Sequence, residues 1–379
     1  MDVSDIGISE AYAALARLPE RVAEGMATAV PDIGPRGKVC LCGSGEGRVA
    51  CLAAKNCMDS VSPCFATVVE GPAIPGWIDE GSLFVAVDFD GSSRQVRAAA
   101  RAAKATGCAV VVIAPAKGAD EGEHRDPFRM PCPEAGVPGS SFGFVFGAVM
   151  KVLGRAGCMD SEAVIDAAMT PLRYFRDNLF GDSRDVIPRA ARALAGCVPF
   201  VYSADPLDAA GHYWALCLSG IPGTMAFCGN HPEFNHNEIS GWGSGDAAAK
   251  RLVHVALCDA GASGLVCALT CESVNDLVKM GVRTVVCRFS GANVTERILK
   301  AALLGGLVSA RLDSAELRNA NEPVDEEYGR QLSMDLRRRF RGSAGSDAVA
   351  RVRTLGAVRR TIRELLLQPL RYEAETHVS

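Results

Sequence analysis

Leu83-Phe84-Val85-Ala86-Val87-Asp88-Phe89-Asp90-Gly91-Ser92-Ser93 passes from an apolar run into a polar, glycine-bearing turn; the Ala-rich stretch Ser93–Thr106 and the apolar run Cys108–Ile113 follow it. The first run has the length and composition of a strand buried on both faces. Ser92 or Ser93 can cap the helix after it, and Cys108–Ile113 reads as the next strand. That order is a βαβ unit, which implies parallel strands with helices on both faces.

Working outward, Lys38–Cys42 and Cys64–Val69 are earlier strands, and residues 8–30 carry helical periodicity up to Pro31 and Gly34-Pro35. Residues 115–139, with the charged run Asp120–Asp126, read as a long surface loop. Helical patterns at Phe142–Gly154, Asp160–Asn178 and Arg184–Ala195 then lead to a second set of strand candidates. These are Val198–Tyr202, Thr224–Phe227, Leu252–Leu257, Leu265–Leu269 and Thr284–Arg288, with helices expected at Asp208–Leu218, Ser273–Met280 and Val294–Leu304. The fold class is α/β, with two open parallel sheets in tandem. The expected division is an N-terminal helix over 1–34, α/β domains over 35–154 and 196–340 joined by a helical connection over 155–195, and an Arg-rich helical tail over 341–379.

A chain of 379 residues with 48% apolar and 22% charged residues can bury more than one core. Its 40 basic and 44 acidic residues leave a net charge of −4, so no nucleic-acid or membrane partner is expected for the whole molecule. The arginines between Arg337 and Arg363 read as a solvated extension or an oligomer contact, because aromatic residues for base stacking are nearly absent there. The 15 cysteines contain no Cys-x-x-Cys pair and many sit in apolar runs. No metal site is expected, and reduced core thiols point to a cytoplasmic protein. The N-terminus lacks the pattern of a signal peptide, and no apolar run is long enough to span a membrane.

In open α/β sheets the ligand lies at the carboxyl ends of the strands. Two turns there stand out: Cys42-Gly43-Ser44-Gly45-Glu46-Gly47 and Asp88–Ser93. The first matches neither Gly-x-G-x-x-Gly spacing nor a P-loop, so no nucleotide cofactor is expected. Ser44, Ser92 and Ser93 are candidate ligand contacts. The most specific stretch is His231-Pro232-Glu233-Phe234-Asn235-His236-Asn237-Glu238-Ile239-Ser240-Gly241-Trp242. So many polar groups between apolar anchors form either a hydrogen-bonded network or a site. His236 has neighbours in Asn235, Asn237 and Glu238 suited to orienting an imidazole for proton transfer.

Residues 232–239 resemble the Pro-Glu-Leu-Asn-His-Asn-Glu-Ile signature of bifunctional phosphoglucose/phosphomannose isomerases, members of the SIS (sugar isomerase) superfamily, and the order of elements is similar over 35–340. The resemblance implies two flavodoxin-like, three-layer αβα SIS domains in a homodimer with sites at the interface, no metal and no cofactor. It implies aldose-ketose isomerisation of glucose 6-phosphate or mannose 6-phosphate to fructose 6-phosphate through an enediolate. His236 would be the catalytic ring-opening group, reaching the site from the partner subunit. Ser44, Ser92 and Ser93 would contact the sugar phosphate, and Glu233, Asn235, Asn237 and Glu238 would support the imidazole.

The chain departs from this pattern where the proton moves. Gly220 stands at the position of the family's base glutamate, sixteen residues before His236, and Gly139 stands at that of its arginine. Asp88 and Asp90 replace the serines of the phosphate loop. Two carboxylates repel a phosphate by ~1 kcal/mol per charge pair at about 4 Å in water. The alternative expectation is therefore a non-catalytic SIS protein that binds a carbohydrate derivative or a protein partner.

Overall fold

The computed structural model describes residues 10–116, 129–243, 251–262, 264–314 and 317. The charged run 120–126 and the arginines of 337–363 lie outside the described residues. The first sheet holds β1 (Lys38–Gly43), β2 (Phe65–Val69), β3 (Ser82–Val87), β4 (Ala109–Pro115) and β5 (Arg129–Cys132) in the order β2-β1-β3-β4-β5. The second holds β6 (Val198–Ser203), β7 (Phe227–Asn230), β8 (Leu252–Asp259) and β9 (Thr284–Phe289) in the order β7-β6-β8-β9. Every pairing is parallel. These are two flavodoxin-like units in tandem, as expected from the sequence.

The helices are α1 (Glu10–Ala16), α2 (Leu18–Met26), α3 (Glu46–Asp59), α4 (Arg94–Ala105), α5 (Phe142–Arg155), α6 (Ser161–Phe180), α7 (Val186–Leu194), α8 (Asp208–Ser219), α9 (Phe234–Asn237), α10 (Gly264–Lys279) and α11 (Val294–Leu312). All six residues of β3 are buried, so the strand reads as one apolar run. On one face the small side chains Val96, Ala99 and Ala103 of α4 lie against Cys40, Cys42, Phe84 and Ala86. The other layer packs α5 against α2 and α3, and α3 against α8 of the second unit. Asn56 of α3 donates to the Pro206 carbonyl at 2.9 Å and to the Asp208 carboxylate, and the Thr295 hydroxyl meets Cys57 Sγ at 3.0 Å. Helix α11 runs through the middle, against α6, α7 and α8. Its Leu299, Leu303 and Leu307 are buried, each worth ~1.5–3 kcal/mol of transfer.

Four sequence expectations are corrected. Where the sequence predicts one helical stretch, α1 and α2 are two helices, because Pro19 sits in the first turn of α2, where its missing N–H is no loss. The supposed loop 115–139 contains β5, a short edge strand that tolerates Pro131. The second strand of the second set begins at Phe227, three residues after Thr224. Leu265–Leu269 belongs to α10, whose buried Val274 and Leu277 continue a helical period. A five-residue apolar run does not by itself separate strand from helix.

Candidate functional site

The order of the first sheet reverses between β1 and β3, so their carboxyl ends open onto the crevice where ligands bind in such folds. The turn after β1 places Ser44 half-buried at this edge and sends Glu46 inward. Glu46 Oε1 accepts the Gly139 N–H at 2.9 Å, and Oε2 accepts the Ser141 N–H at 2.8 Å. Burial pushes its carboxyl above the usual range, with a contribution from Asp90, against the backbone N–H groups that favour the charged form.

The turn after β3 is closed by its own carboxylates. Asp88, buried at 2% exposure, accepts the Ser93 N–H at 2.8 Å and the Arg97 guanidinium at 2.8 Å. Arg97 also donates to the Gly91 carbonyl at 2.6 Å. Asp90 accepts the Ser92 N–H at 3.0 Å and the Ser92 hydroxyl at 2.8 Å. The Ser93 hydroxyl caps α4 by accepting the Val96 N–H at 3.4 Å. Donors that would face an anion in this turn are thus engaged by Asp88 and Asp90.

The polar segment after β7 folds into α9 and a 3-10 turn over Ile239–Gly243. Phe234 and Trp242 enter a core with Tyr202 and Leu277. The Tyr202 hydroxyl donates to the Glu238 carboxylate, the Ser273 hydroxyl donates to Asn235 Oδ1 at 2.6 Å, and Asn237 Nδ2 donates to Glu233 Oε1 at 2.6 Å. Glu233, Asn235, Asn237 and Glu238 therefore fix the shape of the turn itself. His236 is exposed on its outer side.

Residues 187–325 match the family model of the bacterial phospho-glucose isomerase C-terminal SIS domain. That segment, which holds the second sheet, carries the likeness to a SIS domain. No curated protein matches it. Among solved structures it is similar to the C-terminal domain of glucosamine-fructose-6-phosphate aminotransferase from Francisella tularensis, at 14% identity and TM-score 0.62, over 84% of this chain and 99% of that one. A putative phosphosugar isomerase from Clostridium difficile 630 gives 15% identity and TM-score 0.61, over 84% and 97%. Glucosamine-6-phosphate deaminase from Thermotoga maritima gives 12% and 0.54, over 86% and 95%.

Set in the SIS fold, the two glycine replacements pack against one another's surroundings. A Cβ on Gly220, at the end of α8, would lie 2.7 Å from Pro138 Cβ and 2.8 Å from its Cγ. The ring of Pro138 fills the space a side chain at 220 would enter. Gly139 has φ +89°, and a Cβ there would lie 2.5 Å from Cys217 Sγ and 2.8 Å from the Tyr213 hydroxyl. That hydroxyl donates to the Gly139 carbonyl at 3.0 Å. The segment is drawn down onto α8, leaving room for neither a glutamate at 220 nor an arginine at 139.

Among the described residues, three arrangements escape sequence reasoning. His231 and His254 are buried, stack around Tyr202 and Phe234, and have no hydrogen-bond partner at any ring nitrogen. Burial lowers His231 to about 4, and burial with the neighbouring His231 lowers His254 well below the usual imidazole range. At the end of β8, buried Asp259 pairs with Arg297 Nε at 2.7 Å. On the edge strand β7, Cys228 Sγ lies 3.0 Å from His212 Nδ1 of α8. Among the described residues, no three side chains are grouped as metal ligands and no helix is long and apolar enough to cross a membrane.

Proposed function

We propose that this SIS-domain chain binds a carbohydrate derivative at the carboxyl edge of its first sheet and does not isomerise it through a carboxylate at position 220. The observation that carries the reading is the seating of Pro138 on Gly220, which excludes the group that would move the proton between C1 and C2. The internal engagement of Ser92 and Ser93 by Asp90, Asp88 and the cap of α4 supports a ligand held without a phosphate clamp in that turn. Ser44 is left as the hydroxyl at the β1 edge for such a ligand. The protein is read as a cytoplasmic homodimer, with exposed His236 presented to the site of a second copy, and with neither metal nor cofactor.

The test pairs turnover with binding. The purified full chain is incubated with glucose 6-phosphate or mannose 6-phosphate and fructose 6-phosphate formation is followed; thermal unfolding is recorded with fructose 6-phosphate, fructose and glucosamine. No turnover at high protein concentration, with stabilisation by one of these sugars, is the expected result. A ligand at about a hundredfold above its Kd adds ~2.7 kcal/mol. The second reading, an aldose-ketose isomerase with a base from elsewhere, is favoured by the retained and exposed His236. Turnover abolished by His236→Ala would establish it and overturn the first.

A further inference from the structure

Helix α10 begins beyond the carboxyl end of β8 and covers the outer face of the second sheet, with Val274 packed on Ala256 and Val286. Its first two turns are only partly covered, and Leu265 is 62% exposed. Cys267 and Cys271 occupy one side of these turns, four residues apart and both half-buried, and their thiols hydrogen-bond one another. Such spacing stacks side chains directly along a helix face. Arg288 of β9, paired in register with Cys258 of β8, brings a guanidinium close to Cys267.

The chemistry of Cys267 differs from that of the core thiols. Burial holds Cys40, Cys132 and Cys57 up at about 12, where a thiol is inert. Cys267 moves the opposite way, to about 6, through the Cys271 hydrogen bond and then Arg288, against burial and Asp259. Lowered in this way, the Cys267 thiol is more readily ionised near neutral pH than the core thiols, and the thiolate is the reactive form.

We propose that Cys267 and Cys271, stacked half-buried on α10 beside Arg288, form a redox-active dithiol that a hydroperoxide converts to a disulfide. The Cys267 thiolate attacks the hydroxyl-bearing peroxide oxygen; the O–O bond breaks, and the departing alkoxide, or hydroxide from hydrogen peroxide, takes a proton to leave as an alcohol or water. The resulting sulfenic acid is attacked by the Cys271 sulfur, the S–O bond breaks, and hydroxide leaves with the thiol proton as water. The dithiol loses two electrons and the peroxide gains them. Side chains at this spacing have Cβ atoms ~5–6 Å apart, whereas a disulfide needs ~4 Å. The bond therefore tightens the turn of α10 between Cys267 and Cys271, close to the start of the helix at Gly264.

The experiment treats the reduced full chain with a slight excess of hydrogen peroxide, blocks remaining thiols with N-ethylmaleimide and maps the cysteines by fragmentation mass spectrometry. The expected first product is the loss of two hydrogens with a link between Cys267 and Cys271 and maleimide on the core thiols. Cys271→Ser should stop at a sulfenic acid on Cys267 that dimedone captures, and Cys267→Ser should lose both products. A first link to Cys258, or oxidation of another cysteine ahead of Cys267, overturns the proposal. So does a Cys271→Ser chain, folded by circular dichroism, in which Cys267 yields no dimedone adduct.

Discussion

Replacing Asp88 by Asn tests whether the turn after β3 is held by its own ion pair. Asn keeps the shape and leaves Oδ1 to accept the Ser93 N–H, but it removes the charge that Arg97 meets at 2.8 Å and places an amide against a donor. Asp88 is 2% exposed and the Arg97 side chain 32%. Breaking a fully buried pair costs about 3–5 kcal/mol; with one-third of the guanidinium in water, screening reduces this to about 2 kcal/mol. In urea unfolding the midpoint should fall while the slope, which reports the surface exposed, stays the same. Arg97→Met should cost no more, because the buried carboxylate keeps the Ser93 N–H. An unchanged midpoint for Asp88→Asn would refute the reasoning, since the carboxylate would then contribute no more than an amide.

The buried imidazoles set an acid limit on stability. His231 titrates near 4 in the folded chain and near 6.5 when unfolded, so the unfolded chain binds more protons between these values. Stability should be full above about pH 6.5 and fall by roughly 3 kcal/mol towards pH 4, with His254 adding in the same direction; urea midpoints across that range that stay flat would exclude it. Gly220→Glu should not create turnover and should destabilise by about 1–3 kcal/mol, because its Cβ meets Pro138; denaturant unfolding and the isomerase assay read the two parts. Tyr202→Phe should cost about 2 kcal/mol by removing the hydroxyl that holds Glu238, and should loosen the turn that carries His236, seen as faster hydrogen exchange over 234–243. Asp88→Ser combined with Asp90→Ser should bind fructose 6-phosphate at least about fivefold more tightly than the parent, since each removed charge relieves ~1 kcal/mol or more; titration calorimetry measures the change.

Much of this architecture follows from local pattern. The buried strands are apolar runs because both faces are covered, and Ser93, Asp160 and Asn293 announce helix starts by capping them. Short elements are the ones misread: β5 carries a proline at a sheet edge, and the head of α10 is as apolar as a strand. The signature segment was visible as a dense polar stretch, and Phe234 and Trp242 as its apolar anchors. The partners of its polar groups were not visible, since Tyr202 and Ser273 come from other elements.

From the amino-acid order alone came the class, the tandem sheets, and a resemblance in which His236 matches the isomerase signature while Gly220, Gly139, Asp88 and Asp90 depart from it. Tertiary structure decided what surrounds those positions. Two glycines are compatible with open space or with filled space beside them; the approach of Pro138 to Gly220 and of Gly139 to Tyr213 and Cys217 fills it. Two aspartates in a turn could await a cation, yet Arg97 and the backbone of the turn already answer them. The reason is physical: the spacing of a chain fixes which groups are present, but the electrostatic and steric fate of each depends on neighbours delivered by distant segments.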